Sequence, residues 1–101
     1  GGNILGFVNY DDKYPLKIEA LQIGSESNYI VDVKNYKFEF INLSPGLYEL
    51  WGFEALNNRD GNVYHSGLWV PYHRAAKFAF YQDTIDVRSR WDVEGVNINF
   101  E

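Results

Sequence analysis

Apolar residues recur at every second position along almost the whole chain, and that rhythm constrains the fold more than any other feature. Leu16, Ile18 and Ala20 share one parity, as do Phe38 and Phe40, and as do Val96, Ile98 and Phe100. A period of two places such residues on one side of a strand, where a helix would need them three and four apart. No stretch carries a sustained helical period. Seven segments keep the alternation: 4–10, 16–23, 28–33, 36–43, 47–56, 84–91 and 93–100. Turn-forming residues separate them, at Asp11-Asp12-Lys13, Gly24 to Ser27 and Lys34-Asn35. Ser44-Pro45-Gly46-Leu47 has Pro at the second position and Gly at the third. That is the chemistry of a type II turn, with φ near −65° and then φ > 0. About seven short strands in 101 residues predict a single all-β domain over 1–101, an antiparallel Greek-key β-sandwich.

The interval 67–83, "GLWVPYHRAAKFAFYQD", is long for a hairpin connection. Connections of this length are usually functional or packed on themselves. Ala75, Ala76 and Lys77 favour helix, so one helical turn over 74–80 is expected inside it.

The fifth strand raises the main functional question. Tyr48, Leu50 and Gly52 share one face, and Glu49, Trp51 and Phe53 share the other. Both faces carry bulky groups, yet a facing sheet covers only one. The aromatic crossing, with Trp69, Tyr72, Phe78, Phe80 and Tyr81, is expected to fold back over Trp51 and Phe53. Eight Tyr, seven Phe and three Trp supply buried area that a small chain otherwise lacks. On this view the rings are filling. The competing view makes Trp51, Trp69 and Tyr72 a ligand-binding platform on which a glycan stacks.

Asn58, Asp60 and Asn62, with Gly61, have the spacing of a calcium loop. Calcium needs several oxygen ligands, with carboxylates setting affinity, and these three side chains offer one carboxylate. Tyr64-His65-Ser66 supplies no closing Glu. The preferred reading is an Asx-rich turn without a cofactor, with calcium the one candidate metal. His65 and His73 are too few for zinc without thiolates. Ser44, Ser66 and Ser89 stand in no G-x-S-x-G context, and Asp11-Asp12 reads as a turn, so no enzyme activity is expected.

The chain has no Cys and no Met, which excludes disulfides and thiolate chemistry. A net charge of −5 disfavours phosphate backbones and anionic membrane surfaces, so no nucleic-acid partner is expected. No apolar run reaches the length of a membrane span. Arg88 and Arg90 alternate along the sixth strand, and Asn97 and Asn99 along the seventh. They are expected to pair across the two strands on a solvated face.

Several segments together resemble a known family. Asn3 to Val8 is similar to the G-x-I-x-G-x-V opening of the carboxypeptidase-regulatory-like, or transthyretin-like, β-sandwich superfamily, although no Gly stands at its first position. "FEFINLSPGLYEL" resembles that family's F-x-F-x-x-L-x-P-G-x-Y-x-L segment. Asn58 to Tyr64 resembles its D-x-N-x-D-G-x-x-Y stretch, with Leu56 where the family's acidic loop often begins with Asp. The closing "FYQDTIDVRSRWDVEGVNINF" is similar to the last segment of bacterial envelope lipoproteins with Ig-like domains upstream. The resemblance implies a prealbumin-like or Ig-like sandwich and a non-catalytic module of an exported bacterial protein. Its implied place is the cell envelope, periplasmic or cell-surface. Its implied role is structure or protein interaction, with neighbouring domains or other envelope proteins as partners. A carbohydrate-binding module is the alternative. Gly1-Gly2 reads as a cloning scar, so the domain is expected to be excised from a larger exported protein.

Overall fold

The computed structural model describes residues 1–10, 14–55, 63–65, 68–70 and 77–100. It is all-β, with no helix among the described residues. The strands are β1 (Gly2–Asn9), β2 (Leu16–Gln22), β3 (Asn28–Asp32), β4 (Lys37–Leu43) and β5 (Gly46–Glu54). After them come β6 (Val63–His65), β7 (Leu68–Val70), β8 (Phe78–Phe80), β9 (Ile85–Val87) and β10 (Asp92–Asn99). Eight of them build two sheets. The small sheet has the order β10-β1-β4, and the large sheet β3-β2-β5 with β8 and β9 on the far edge of β5. β6 and β7 pair with each other.

Alternation decides what lies between the sheets. Ile4 and Val8 of β1, Leu16, Ile18 and Ala20 of β2, and Phe38, Phe40 and Leu43 of β4 are all buried. Tyr48 and Leu50 of β5, Ile85 and Val87 of β9, and Val96, Ile98 and Phe100 complete the core with them. Phe38 and Phe40 meet edge to face at 6.1 Å, and Tyr10 meets Phe100 at 5.1 Å. Each such pair contributes about 0.5–1.5 kcal/mol beyond area burial.

Five expectations need correction. The small sheet is mixed, because β10 runs parallel to β1. The last two expected strands do not pair: β9 joins β5 and β10 joins β1. Arg88 therefore turns to Asp86, at 3.1 Å, and its guanidinium lies 5.3 Å from the centre of the Trp91 ring. The end of the expected sixth strand is a turn closed by the Trp91 N–H on the Arg88 carbonyl at 3.1 Å. Of the helical turn expected over 74–80, residues 74–76 lie outside the described residues, and Phe78–Phe80 is strand β8, since its pairing with Trp51–Phe53 overrides local helix preference. Finally, Gly46 sits at φ +154°, far from the +80° of a type II turn. The Ser44 carbonyl accepts the Tyr48 hydroxyl at 2.7 Å.

Between β3 and β4, Asn35 and Tyr36 have φ of 54° and 65°. Lys34 and Lys37 exchange both backbone hydrogen bonds, at 2.9 and 3.0 Å. This is a type I′ turn, which demands φ > 0 at both central residues. Asn tolerates that region, whereas a Tyr with its Cβ is strained there by about 1–2 kcal/mol. Tyr36 is largely exposed, so its ring loses little if removed. Tyr36→Gly is therefore expected to raise stability by roughly 0.5–1 kcal/mol, strain relief outweighing the added freedom of the unfolded chain. Urea unfolding checks this: the midpoint rises at constant slope. A lower midpoint would show that the turn is not strained.

Candidate functional site on the outer face of the large sheet

The second parity of the large sheet faces away from the core. Register aligns it into two rows. Ile30, Glu19, Trp51 and Phe80 lie side by side across β3, β2, β5 and β8. Asp32, Lys17, Phe53 and Phe78 form the next row. Four aromatic rings thus meet at one end of the face.

The rings stand close together. The Trp51 and Phe80 centroids are 5.6 Å apart with planes at 17°, and Trp51 and Phe53 are 4.7 Å apart at 30°. Two coplanar rings cannot approach to such distances, so Phe80 overlies a face of the indole. Phe78 meets Trp51 and Phe80 edge-on, at 6.3 and 5.7 Å. Trp51 and Phe53 are half-buried by this packing. Phe78 and Phe80 remain 60% and 65% exposed, and Ile30 51%.

Polar groups border the rings. Glu19 accepts the Trp51 Nε1–H at 2.7 Å on one oxygen and the Asn28 amide at 2.6 Å on the other. The indole is therefore fixed by a charge-assisted hydrogen bond as well as by stacking. Lys17 donates to Asp32 at 2.7 Å. The hydrogen bond from Lys17, then its charge, holds the Asp32 carboxyl below the usual carboxylate range. A depressed folded pKa adds stability above the unfolded value and loses it as pH falls through the folded one. Both groups are exposed, so the pair is worth less than about 1 kcal/mol. Lys17→Gln is expected to cost that small amount at pH 6 and nothing at pH 2. Its cost should also shrink in molar salt. Thermal melts at both pH values check this, and a pH-independent difference would exclude the pair as its cause.

Glu54 is the buried charged side chain among the described residues, at 3% exposure. It accepts the Tyr10 hydroxyl and, at 2.9 Å, the backbone N–H of Lys77. The Glu54 N–H donates in turn to the Lys77 carbonyl at 3.0 Å. The side chain thereby pins the approach to β8 against the end of β5, which sets Phe78 and Phe80 beside Trp51 and Phe53.

The residues singled out from sequence fall unequally. Trp51 lies in the ring cluster. Trp69 belongs to β7, but its side chain is outside the described residues, as is Tyr72. Asn58, Asp60 and Asn62 also lie outside them. Among the described residues no group of three His, Cys, Asp or Glu is placed to hold a metal. Of the crossing aromatics, Phe80 stacks on one face of Trp51 and Phe78 meets it edge-on, so they cover it in part, and Tyr81 turns inward against the core. Sequence reasoning missed Glu19 and Glu54. Glu54 had a signal, since alternation puts it on the Tyr48, Leu50 and Gly52 face. Glu19 had none, because its value comes from cross-strand neighbours. Among the described residues no helix is long and apolar enough to cross a membrane. Comparison with family models, curated proteins and solved structures returns no match for this chain.

Proposed function

We propose that the domain is a non-catalytic β-sandwich module of an exported bacterial envelope protein, serving structure and protein interaction. It holds a neighbouring domain or another envelope protein against the outer face of the large sheet. The observation that carries this reading is the cluster of Trp51, Phe53, Phe78 and Phe80, two of whose rings are mostly exposed. Contiguous exposed apolar groups rimmed by polar ones mark interaction surfaces, and large rings are favoured anchors there. Among the described residues on this face, Glu19, Glu49, Asp32 and Asp86 outnumber Lys17 and Arg88, so the partner carries basic groups around an apolar centre.

Site-specific photo-crosslinking in cells tests the reading. A photoreactive aromatic at position 80 is expected to capture an envelope protein. The same group at Asn99, exposed on the small sheet, is expected to capture none. Phe78→Ser with Phe80→Ser should keep the fold and abolish capture by a photoreactive group at Leu47, on the same face. Equal capture from positions 80 and 99 would refute the assignment. The carbohydrate alternative draws support from Glu19 and Asn28 beside the indole, because sugar sites join a ring to polar side chains. A saturable change of tryptophan fluorescence with a glycan, without protein capture, would reverse the order of the two readings.

A further inference from the structure

The pairing of β2 with β5 sets four outward side chains of the large sheet at the corners of a square. Glu19 lies opposite Trp51, and Leu21 lies opposite Glu49. Glu19 and Leu21 are two residues apart on one strand, as are Glu49 and Trp51 on the other, so all four share the outer face. The carboxylates occupy one diagonal and the apolar groups the other. Diagonal neighbours across an antiparallel pair are about 7–8 Å apart, within reach of long side chains.

Charge on this face is unbalanced at the square. Lys17 is engaged by Asp32 at 2.7 Å, and Arg88 by Asp86 at 3.1 Å. No other base belongs to the face among the described residues. Glu19 and Glu49 are left as neighbouring negative charges, which repel each other. Glu49 is exposed, and its carboxylate has no hydrogen bond or ion pair among the described residues.

The square is also preset. The two oxygens of Glu19 accept the Trp51 Nε1–H at 2.7 Å and the Asn28 amide at 2.6 Å, and each keeps a lone pair for a further donor. Apolar groups continue beyond it in both directions. Phe80 pairs beside Trp51, and Leu47, 46% exposed, follows Glu49 along β5 next to Ile23.

We propose that this square seats an arginine side chain of the partner protein, flanked in that partner by apolar residues. The inference rests on the docking role proposed above and names the chemistry of one of its contacts. A guanidinium is planar, with N–H donors around its edge and weakly hydrated faces that stack on rings. Here its edge meets the carboxylates of Glu19 and Glu49, and its faces meet Trp51 and Leu21. A lysine ammonium brings the charge without the flat faces. A second copy of this chain does not fit, because two-fold pairing over the square would oppose carboxylates to carboxylates.

The probe is the peptide Leu-Ser-Arg-Ser-Leu, acetylated and amidated at its ends. In an extended chain its Leu and Arg side chains project to one side about 7 Å apart, the spacing of outward residues along β5. The readout is the NMR shift of the Trp51 indole N–H in the intact domain, because that group is bonded to Glu19. A saturable shift at millimolar peptide is expected, with affinity falling at least about threefold between roughly 0.05 and 0.5 M salt. Citrulline in place of arginine, neutral and of similar shape, should bind at least about tenfold more weakly. Lysine in its place should bind at least about threefold more weakly. Glu49→Gln breaks no bond within the domain and should weaken the arginine peptide at least about threefold, whereas Glu39→Gln on the small sheet should not. Equal binding of the citrulline peptide overturns the proposal and leaves an apolar docking face. Equal binding of the lysine peptide overturns the choice of a guanidinium. Absence of a shift overturns the arginine contact alone if position 80 still captures a protein in cells, and the docking role with it if position 80 captures none.

Discussion

Gly6→Val is expected to cost at least about 3 kcal/mol, a large share of the 5–15 kcal/mol that holds a small domain together. Gly6 occupies the middle of β1, the central strand of the small sheet, between Phe38 on β4 and Val96 on β10. A Cβ at this position would fall inside the van der Waals radii of the Val96 carbonyl oxygen and of the Phe38 ring. Neither neighbour has room to move. Phe38 is 3% exposed and locked among core side chains. The Val96 carbonyl is part of the β10 backbone, so shifting it disturbs the register with β1. For a domain of this size the loss corresponds to a drop in Tm of roughly 12–24 °C. Gly24→Ala is the control. Gly24 lies at φ +84°, and an added methyl group there would meet nothing within 4 Å, so only backbone strain of about 1 kcal/mol is expected. Thermal unfolding followed by circular dichroism separates the two. If Gly6→Val melted no lower than Gly24→Ala, the close approach of β1, β4 and β10 would be wrong.

The core was legible because its signal is local. Alternation groups Ile18 with Ala20, Tyr48 with Leu50, and Val96 with Ile98 on shared faces, and all six are buried. Strand neighbours were not legible, since alternation says which way a side chain faces and nothing about which strand lies alongside. The parallel pairing of β1 with β10 joins opposite ends of the chain and has no local signature. The short β9 was overestimated for a different reason. Arg90 adopts φ +65° in the turn before Trp91, a conformation that residue preferences do not forecast. At Phe78–Phe80, good helix formers precede a segment whose conformation is set by the free edge of β5.

The candidate site was half legible. Bulky residues on both parities of β5 announced that one sheet face would stay crowded with rings outside the core. The fate of those rings was not readable. Phe80 reaches Trp51 only because β8 pairs antiparallel in one particular register, and Glu19 reaches the indole only because β2 lies on the other side. The separation of β3 and β4 into different sheets follows from the same limit. The Asn35-Tyr36 turn is local, whereas the parting of its arms depends on partners far along the chain.

Tyr48→Ala is expected to cost about 3–5 kcal/mol, as for other large side chains deleted from a core. Tyr48 is fully buried, and it tilts against Tyr29 with centroids 6.3 Å apart. The more informative variant is Tyr48→Phe, which keeps the ring and removes only the hydroxyl. That hydroxyl donates to the Ser44 carbonyl at 2.7 Å, tying the start of β5 to the end of β4. Leaving the carbonyl without its donor costs about 1–2 kcal/mol at pH 7. A pH series distinguishes this bond from packing. Burial, with Tyr29 second, pushes the Tyr48 phenol above its ordinary value. The folded protein then holds a proton that the unfolded chain releases from about pH 10 upward. The stability tied to the phenol is complete below that value and is lost as pH rises through the folded pKa. Phe has no such proton, so the gap between the two proteins should narrow from pH 7 to pH 11 in urea unfolding. An unchanged gap at pH 11 would show that the hydroxyl is not the group being protected from solvent.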